Sequence, residues 1–83
     1  MEEIRKDKVL KSFGAHLKQL RNSKNVSLRI LEQLCNVEHS QIHKIEKGIS
    51  SPTLITMIAL AEGLEVPLKD LIDFKYENST LES

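Results

Sequence analysis

Residues 27–48 read SLRILEQLCNVEHSQIHKIEKG and contain two short helical patterns separated by a break. In the first pattern, Leu28 to about Cys35, apolar side chains recur at the spacing of a helix face. Ser27 precedes this pattern as a good N-cap, and Asn36 follows it as a residue that accepts the left-handed conformation of a helix end. The second pattern runs from about His39 to Lys47. The stretch therefore predicts two helices joined by a tight turn.

The second of these helices has two chemically different sides. Ile42 and Ile45 form an apolar side that predicts packing onto a core, and Gly48 then ends the helix. The other side is rich in hydrogen-bonding groups, which are supplied by His39, Ser40, Gln41, His43 and Lys44. This is the layout of a helix-turn-helix, whose second helix presents its N-terminal residues to base edges in the DNA major groove. The alternative is a solvated helix face in an unrelated bundle.

The histidines also raise the alternative of a metal site. Cys35, His39 and His43 are residue types that bind zinc, and histidines four apart on a helix can share an ion. Residues 36–37 break the helix between Cys35 and His39, however, and a structural zinc site usually takes four ligands. Cys35 also falls where the first helix needs an apolar residue, and a lone buried cysteine behaves as a small hydrophobe. We therefore predict no metal site and no cofactor.

The rest of the chain shows further helical patterns and no convincing strand alternation. Apolar residues at helical spacing predict a first helix from about Asp7, in which Gly14 permits close approach of a neighbouring helix. Ser51-Pro52 predicts the start of a fourth helix that ends at Gly63, because serine caps helices and proline favours the first helical position. Pro67 opens a short fifth helix. The sequence thus predicts an all-α fold of five helices.

Length and composition fit one small domain. The chain has 83 residues and a single cysteine, so it forms no internal disulfide. We expect a compact five-helix bundle over residues 7–74, a flexible N-terminal arm at residues 1–6 and a C-terminal tail at residues 75–83. No apolar run reaches the ~20 residues of a membrane span, and the N-terminus lacks the apolar core of a signal peptide. These features predict a cytoplasmic protein that does not contact the membrane.

Charge is unevenly distributed along a chain whose net charge is zero. Residues 1–50 hold ten Lys and Arg against six Asp and Glu, whereas residues 51–83 hold two against six. A basic half and an acidic half indicate that one face of the protein binds a polyanion and that another face makes a different contact. The sequence has no glycine-rich phosphate loop, no His-Glu-x-x-His motif and no nucleophile beside a credible base. We therefore expect neither enzymatic activity nor a small-molecule substrate.

Five features in a fixed order give the chain a family resemblance. They are the FG-x-x-L-x-x-LR opening of the first helix, the serine that opens the second, the I-x-x-I-E-K-G ending of the third, the Pro-Thr-Leu start of the fourth and the final LEVPLKDLI. Together they make residues 13–74 resemble the lambda-repressor-like, Cro/cI-type (XRE) helix-turn-helix domain. The resemblance implies a five-helix bundle that binds double-stranded DNA through its third helix.

The resemblance also implies roles for individual residues. Arg21 and Glu46 match a pair that forms a salt bridge between the first and third helices. Lys47 matches a position that contacts phosphate, and the free amides around Ser27 are expected to approach the DNA backbone. The positions that usually read bases, or flank those that do, are occupied by His39, Ser40, Gln41, His43 and Lys44.

Four positions depart from the family pattern. Leu28 stands where a glutamine often bonds phosphate, so that backbone contact is either missing or supplied by the neighbouring Arg29. Glu32 stands where a small residue usually packs the second and third helices together, so it must point outward or find a partner. Asn36 replaces a usual glycine, which its tolerance of the left-handed conformation permits. Glu38 brings a negative charge close to DNA, where it can cap the third helix or accept a bond from a cytosine amino group.

The C-terminal end of the bundle predicts a homodimer. We expect apolar side chains there to exceed what a small domain can cover, and these are Leu68, Leu71, Ile72 and Phe74. In the family that the chain resembles, this end commonly forms a two-fold dimer, which places two recognition helices about 34 Å apart, one turn of DNA. The alternative is that these residues only close the core of the monomer.

These features together predict a sequence-specific DNA-binding transcriptional regulator that binds a palindromic operator as a dimer. We expect no ligand-sensing domain, so control would come from concentration, dimerisation or a partner protein, as in a small autoregulating repressor or controller. The alternative is a protein-interaction module of the same fold, such as an antitoxin that holds a toxin partner. Salt dependence separates the two, because phosphate contacts release counterions and weaken steeply with salt.

Overall fold

The computed structural model describes residues 3–76, and within that range the chain forms five α-helices and no strand. The helices are α1 (Glu3–Ser23), α2 (Leu28–Cys35), α3 (His39–Glu46), α4 (Leu54–Leu64) and α5 (Leu68–Leu71). The predicted all-α, five-helix class is confirmed. Across the described part of the chain, no helix combines the length and the apolar character that a membrane crossing requires. Most of the expected C-terminal tail, residues 77–83, lies outside the described residues.

The core is aliphatic and receives side chains from all five helices. Its buried residues are Phe13 and Leu17 from α1, Leu31 from α2, Ile42 and Ile45 from α3, Leu60, Ala61 and Leu64 from α4, and Leu71 from α5. Full burial of one Leu or Ile side chain contributes about 1.5–3 kcal/mol. The expectation that Leu71 is an exposed residue is wrong, because α5 points this side chain into the core, where it is 0% exposed.

The first helix begins earlier than its apolar pattern indicates. α1 starts at Glu3, whereas the pattern predicts a start near Asp7. Residues 3–8 are mostly Glu, Arg and Lys, which have high helix propensity but contribute little to a core. The apolar pattern therefore places the start of the helix too late, and residues 3–6 of the expected arm are helical.

α1 and α3 approach each other closely at Gly14, as the sequence predicts. A Cβ atom at this position would press against the carbonyl oxygens of Ile45 and Glu46 and would lie 2.7 Å from the Glu46 carbonyl carbon. Backbone atoms cannot move aside as a flexible side chain can, so any larger residue would push the two helices apart. Gly14 therefore sets the distance between α1 and the last turn of α3.

Both ends of α2 form as the sequence predicts. The Ile30 amide donates a hydrogen bond to the Ser27 hydroxyl at 3.1 Å, which satisfies one of the free donors of the first turn. Asn36 is left-handed at φ +61°, and its amide donates to the Glu32 carbonyl at 2.8 Å. These two caps set the length of α2 and the position of the turn that leads to α3.

The start of α4 differs from the prediction. The helix begins at Leu54, and the amide of Thr56 donates to the Thr53 hydroxyl at 3.1 Å. Thr53 is therefore the N-cap, and Ser51-Pro52 belongs to the preceding connection. Serine and threonine cap helices by the same bond, so local chemistry alone did not separate the two candidates.

The end of α4 also differs from the prediction. The helix continues through Gly63 to Leu64, and the left-handed residue that follows is Glu65 at φ +60°. Gly63 instead serves the packing of α4 on α2, because a Cβ atom there would lie 2.9 Å from the Cβ atom of Cys35. Two of the three glycines thus mark close helix contacts rather than helix ends.

Candidate nucleic-acid interface

The third helix is anchored on one side and open on the other. Ile42 and Ile45 are 0% and 1% exposed and hold α3 against α1 and α2. The exposed residues of α3 and its C-cap include Ser40, Gln41, His43, Lys44 and Lys47. His39, at the start of the helix, is half-buried. The structure therefore brings the predicted base-reading residues together on one short helix and keeps them out of the core.

A buried ion pair orients α3 against α1. Arg21 Nε donates to Glu46 Oε2 at 2.6 Å, and Arg21 Nη2 donates to Glu46 Oε1 at 3.0 Å. The exposed fractions of the two side chains are 10% and 3%. This two-bond arrangement fixes the angle between two planar groups as well as their distance. It is the pair that the family resemblance implies.

The same arginine also holds the connection before α2. Arg21 Nη1 donates to the carbonyl oxygen of Val26 at 2.9 Å, directly before the N-cap Ser27. One guanidinium group therefore joins α1, the start of α2 and the end of α3. Arg21 and Glu46 therefore fix the position of α3 relative to α1 and to the start of α2.

His39 has a partner that the sequence did not identify. His39 Nδ1 lies 3.0 Å from Glu32 Oε1, which joins the first residue of α3 to the middle of α2. The two side chains are 37% and 36% exposed, so the pair remains open to solvent. The departure at Glu32 was the signal in the sequence, because a carboxylate in place of a small residue has to point outward or find a partner.

Glu38 does not cap α3. It occupies the N-cap position, but its side chain makes no cap hydrogen bond. The side chain is exposed beside His39. Of the two roles predicted for Glu38, capping of α3 is therefore absent, and the bond from a cytosine amino group stays a prediction. The negative charge of Glu38 stays at the N-terminal end of the helix that carries the predicted base-reading residues.

The residues expected to contact the DNA backbone lie at the ends of α2 and α3. Arg29 and Lys47 are exposed. Ser27 is exposed as well, but its hydroxyl is engaged in the cap of α2. Leu28 packs partly buried against the core, so this leucine contributes apolar contact where the family often has a polar side chain.

Lys11 is a candidate contact that sequence reasoning missed. Gly48 is left-handed at φ +78°, and a Cβ atom there would lie 2.7 Å from Lys11 Cγ. The lysine side chain is exposed, so it adds positive charge near the C-terminal end of α3. Only the packing of α1 on α3 reveals this proximity, because the two residues are far apart in sequence.

The cysteine and the histidines are not arranged as a metal site. Among residues 3–76, no group of three or more His, Cys, Asp or Glu side chains could hold an ion. Cys35 is half-buried and packs against the core. Burial raises the pKa of its thiol, an effect that hydrogen bonds from the backbone at Val37 and Cys35 only partly oppose. Cys35 thus acts as a small apolar residue that supports α2.

The C-terminal face combines closed and open apolar residues. Leu68 and Phe74 pack partly buried against the core, and the Phe13 and Phe74 rings meet edge to face at 5.5 Å. Ile72 and Tyr76 remain 48% and 46% exposed. An apolar groove of about 180 Å³ lies beside Ile72, between α1, α4 and the residues after α5. Only part of the predicted dimer set is therefore available to a partner.

The fold and the open side of α3 define a helix-turn-helix domain. The sequence model of the helix-turn-helix family HTH_3 matches residues 17–71, which include all of α2, α3 and α4. The chain belongs to this family, and the resemblance to the Cro/cI-type (XRE) domains is confirmed.

Among characterised proteins, the chain is similar to the HTH-type transcriptional regulator SutR of Escherichia coli K12. The two are 39% identical over 56 residues, which make up 68% of this chain and 32% of SutR. The chain therefore spans less than half the length of this curated relative.

Two solved structures resemble the fold closely. The restriction-modification controller protein C.AhdI from Aeromonas hydrophila superposes with a TM-score of 0.73 at 29% identity, over 75% of this chain and 94% of that one. An HTH_3 family transcriptional regulator from Vibrio cholerae has a TM-score of 0.73 at 38% identity, over 78% of this chain and 37% of that one.

Proposed function

We propose that the protein is a sequence-specific DNA-binding transcriptional regulator that reads a palindromic operator through α3. The observation that carries this proposal is the division of α3 into a buried anchoring side, with Ile42 and Ile45, and an exposed polar side. A helix held in this way can enter a major groove without losing its place in the core. The names of the relatives, which are transcriptional regulators and a restriction-modification controller, support the same function.

The exposed side chains suit direct readout of bases. Gln41 can bond both the N6 and N7 positions of adenine, and Lys44 can donate to guanine. Ser40 is short enough to approach either kind of base edge. His39 and His43 extend the polar surface on either side of these residues. We propose that these five side chains select the operator sequence.

Positive charge around α3 suits the phosphate backbone. Arg29, Lys47 and Lys11 are exposed near the ends of α2 and α3. Phosphate contacts fix the register of a protein on the duplex but carry little sequence information. We propose that these three cations and the free amides around Ser27 position the protein while α3 reads bases.

We propose that two copies associate through the C-terminal face. Ile72 and Tyr76 supply exposed apolar area, and the groove beside Ile72 supplies a concave surface. A two-fold axis there would place the two copies of α3 one DNA turn apart, about 34 Å, to match a palindrome. Association of two copies would make DNA binding depend on the concentration of the protein, which suits a small autoregulating repressor or controller.

Selection from a random duplex library, followed by fluorescence anisotropy, tests the proposal. Ser40→Ala and Lys44→Ala should each reduce affinity for the selected duplex by about 5- to 150-fold, the range of one base contact. Lys69→Ala is the matched control, because Lys69 is an exposed cation on α5 and should leave selection unchanged. Failure to enrich any site with the folded wild-type protein would contradict sequence-specific regulation.

The second candidate function is a protein-interaction module, such as an antitoxin that holds a toxin. Three exposed apolar residues at and before the start of α4 favour it, namely Ile49, Leu54 and Ile55 at 68%, 58% and 73% exposure. Salt separates the two functions, because DNA affinity falls steeply between 50 and 200 mM salt when several phosphates are contacted. Binding through an apolar surface would change little over that range.

A further inference from the structure

The contact between Glu32 and His39 constrains the chemistry of a residue at the start of α3. His39 Nδ1 is 3.0 Å from Glu32 Oε1, and each side chain is about one-third exposed. An ionised carboxylate only accepts hydrogen bonds, so the hydrogen of this contact lies on Nδ1. In a neutral imidazole ring the other nitrogen, Nε2, is then an acceptor.

Within the described residues, no other group forms a hydrogen bond with Nε2 of His39. The hydrogen bonds of residues 3–76 include none to His39 Nε2, and the His39 side chain keeps 37% of its surface open to solvent. His39 is also the first residue of α3, where a recognition helix approaches base edges. One nitrogen therefore contacts the protein, and the other is available to DNA.

We infer that Glu32 is a positioning residue that sets the base preference of His39. The inference rests on the proposed function, because it requires α3 to lie in the major groove. With Nδ1 bonded to Glu32, a neutral His39 presents Nε2 as an acceptor. The donors that match it in the major groove are the amino groups of adenine N6 and cytosine N4. The oxygen acceptors of guanine and thymine offer Nε2 no hydrogen.

This arrangement places a specificity determinant on α2, outside the helix that touches bases. Glu32 does not reach DNA through a bond of its own; it acts through the ring of His39. A carboxylate that close to the duplex also repels phosphate, so its removal would raise affinity for all sequences. This general effect is the same for two duplexes that differ at one base pair, so it cancels in the ratio of their affinities. The ratio therefore reports only the base preference of His39.

Two measurements on the full chain test the inference. The first is the ¹⁵N spectrum of the imidazole nitrogens, which distinguishes the two neutral tautomers from the charged ring. The second is the affinity ratio between the selected operator and a duplex changed only at the pair that His39 contacts. Glu32→Ala should shift the neutral ring away from the Nδ1–H tautomer and reduce the ratio about fivefold, the value of one hydrogen bond.

Glu38→Ala is the matched control. Glu38 is an exposed carboxylate next to His39 in sequence and has no hydrogen bond to its ring. Its removal changes the net charge by the same amount, so it should leave the tautomer of His39 unchanged. Glu32→Gln, which keeps the size of the side chain, guards against a loss of structure in Glu32→Ala.

A double-mutant cycle shows whether Glu32 acts through His39. In a His39→Ala background, Glu32→Ala should no longer change the affinity ratio. An unchanged ratio and tautomer in Glu32→Ala alone, while wild type remains selective, would overturn the inference and leave the proposed function intact. A wild-type protein that shows no base preference anywhere would instead overturn the proposed function and, with it, the base-reading role of His39.

Discussion

Arg21 and Glu46 face each other across the α1–α3 interface, joined by hydrogen bonds of 2.6 and 3.0 Å and almost removed from solvent. The cost of removing both charges from water limits what such a pair adds to stability. Its geometric effect is larger, because the third arginine bond reaches Val26 at the start of the next helix. The pair therefore specifies how α3 is oriented more than how strongly the chain folds.

The first prediction concerns the loss of one member of this pair. Glu46→Gln should destabilise the protein by about 3–5 kcal/mol, because Arg21 would keep a buried charge without its counterion. Replacement of both residues, Arg21→Met with Glu46→Leu, should cost less than Glu46→Gln alone. Urea denaturation at low temperature measures both, and exposed Glu62→Gln is the control. A cost below 1 kcal/mol for Glu46→Gln would show that the pair does not hold the interface.

The second prediction concerns Gly14. Helix propensity alone would make Gly14→Ala stabilising by about 1 kcal/mol. The new Cβ atom would meet the carbonyls of Ile45 and Glu46, so we expect a net loss of about 2 kcal/mol or more. Thermal denaturation decides the sign. Ala15 is the exposed neighbour of Gly14 on α1, so Ala15→Gly measures the effect of helix propensity on stability without the contact to α3.

The third prediction compares two possible caps of α4. Thr53→Ala should cost about 1 kcal/mol, because it removes the acceptor of the Thr56 amide. Ser51→Ala removes a hydroxyl outside the helix and should change stability by less than about 0.5 kcal/mol. Chemical denaturation of the two variants side by side tests the assignment. Equal losses, or a larger loss at Ser51, would place the start of the helix two residues earlier.

The fourth prediction concerns self-association. Ile72→Arg should weaken a dimer formed through the C-terminal face, because it places a charge in exposed apolar area. Ile55→Arg makes the same change on α4, where isoleucine is 73% exposed, and should leave that dimer intact. Sedimentation equilibrium over a range of concentrations gives the dissociation constant of each. If Ile55→Arg alone reduces association, the interface lies on α4.

Local chemistry explains why the central part of the fold was predictable. Ser27, Asn36 and the spacing of Ile42 and Ile45 act within one or two helical turns, and each takes the predicted role. The start of α4 was missed for a local reason too, since Ser51 and Thr53 offer the same capping bond.

Other parts of the site depend on contacts that no pattern encodes. The partner of Glu32 and the neighbour of Gly48 are set by how α2 and α1 pack against α3. In α5 the prediction is limited by length, because four residues are too few for apolar spacing to show which side of the helix is buried. Leu71 is 0% exposed and the adjacent Ile72 is 48% exposed, although both are large and aliphatic.

The separation of the two sides of α3 has a consequence for re-engineering. Ser40, Gln41, His43 and Lys44 can be randomised together as a library, because none of them contributes to the interior. The helix cannot be transplanted by itself, however, because the surface on which it packs includes Gly14 and Arg21 of α1. A designer who wants a new target site should keep the whole five-helix scaffold and change only the exposed side chains of α3.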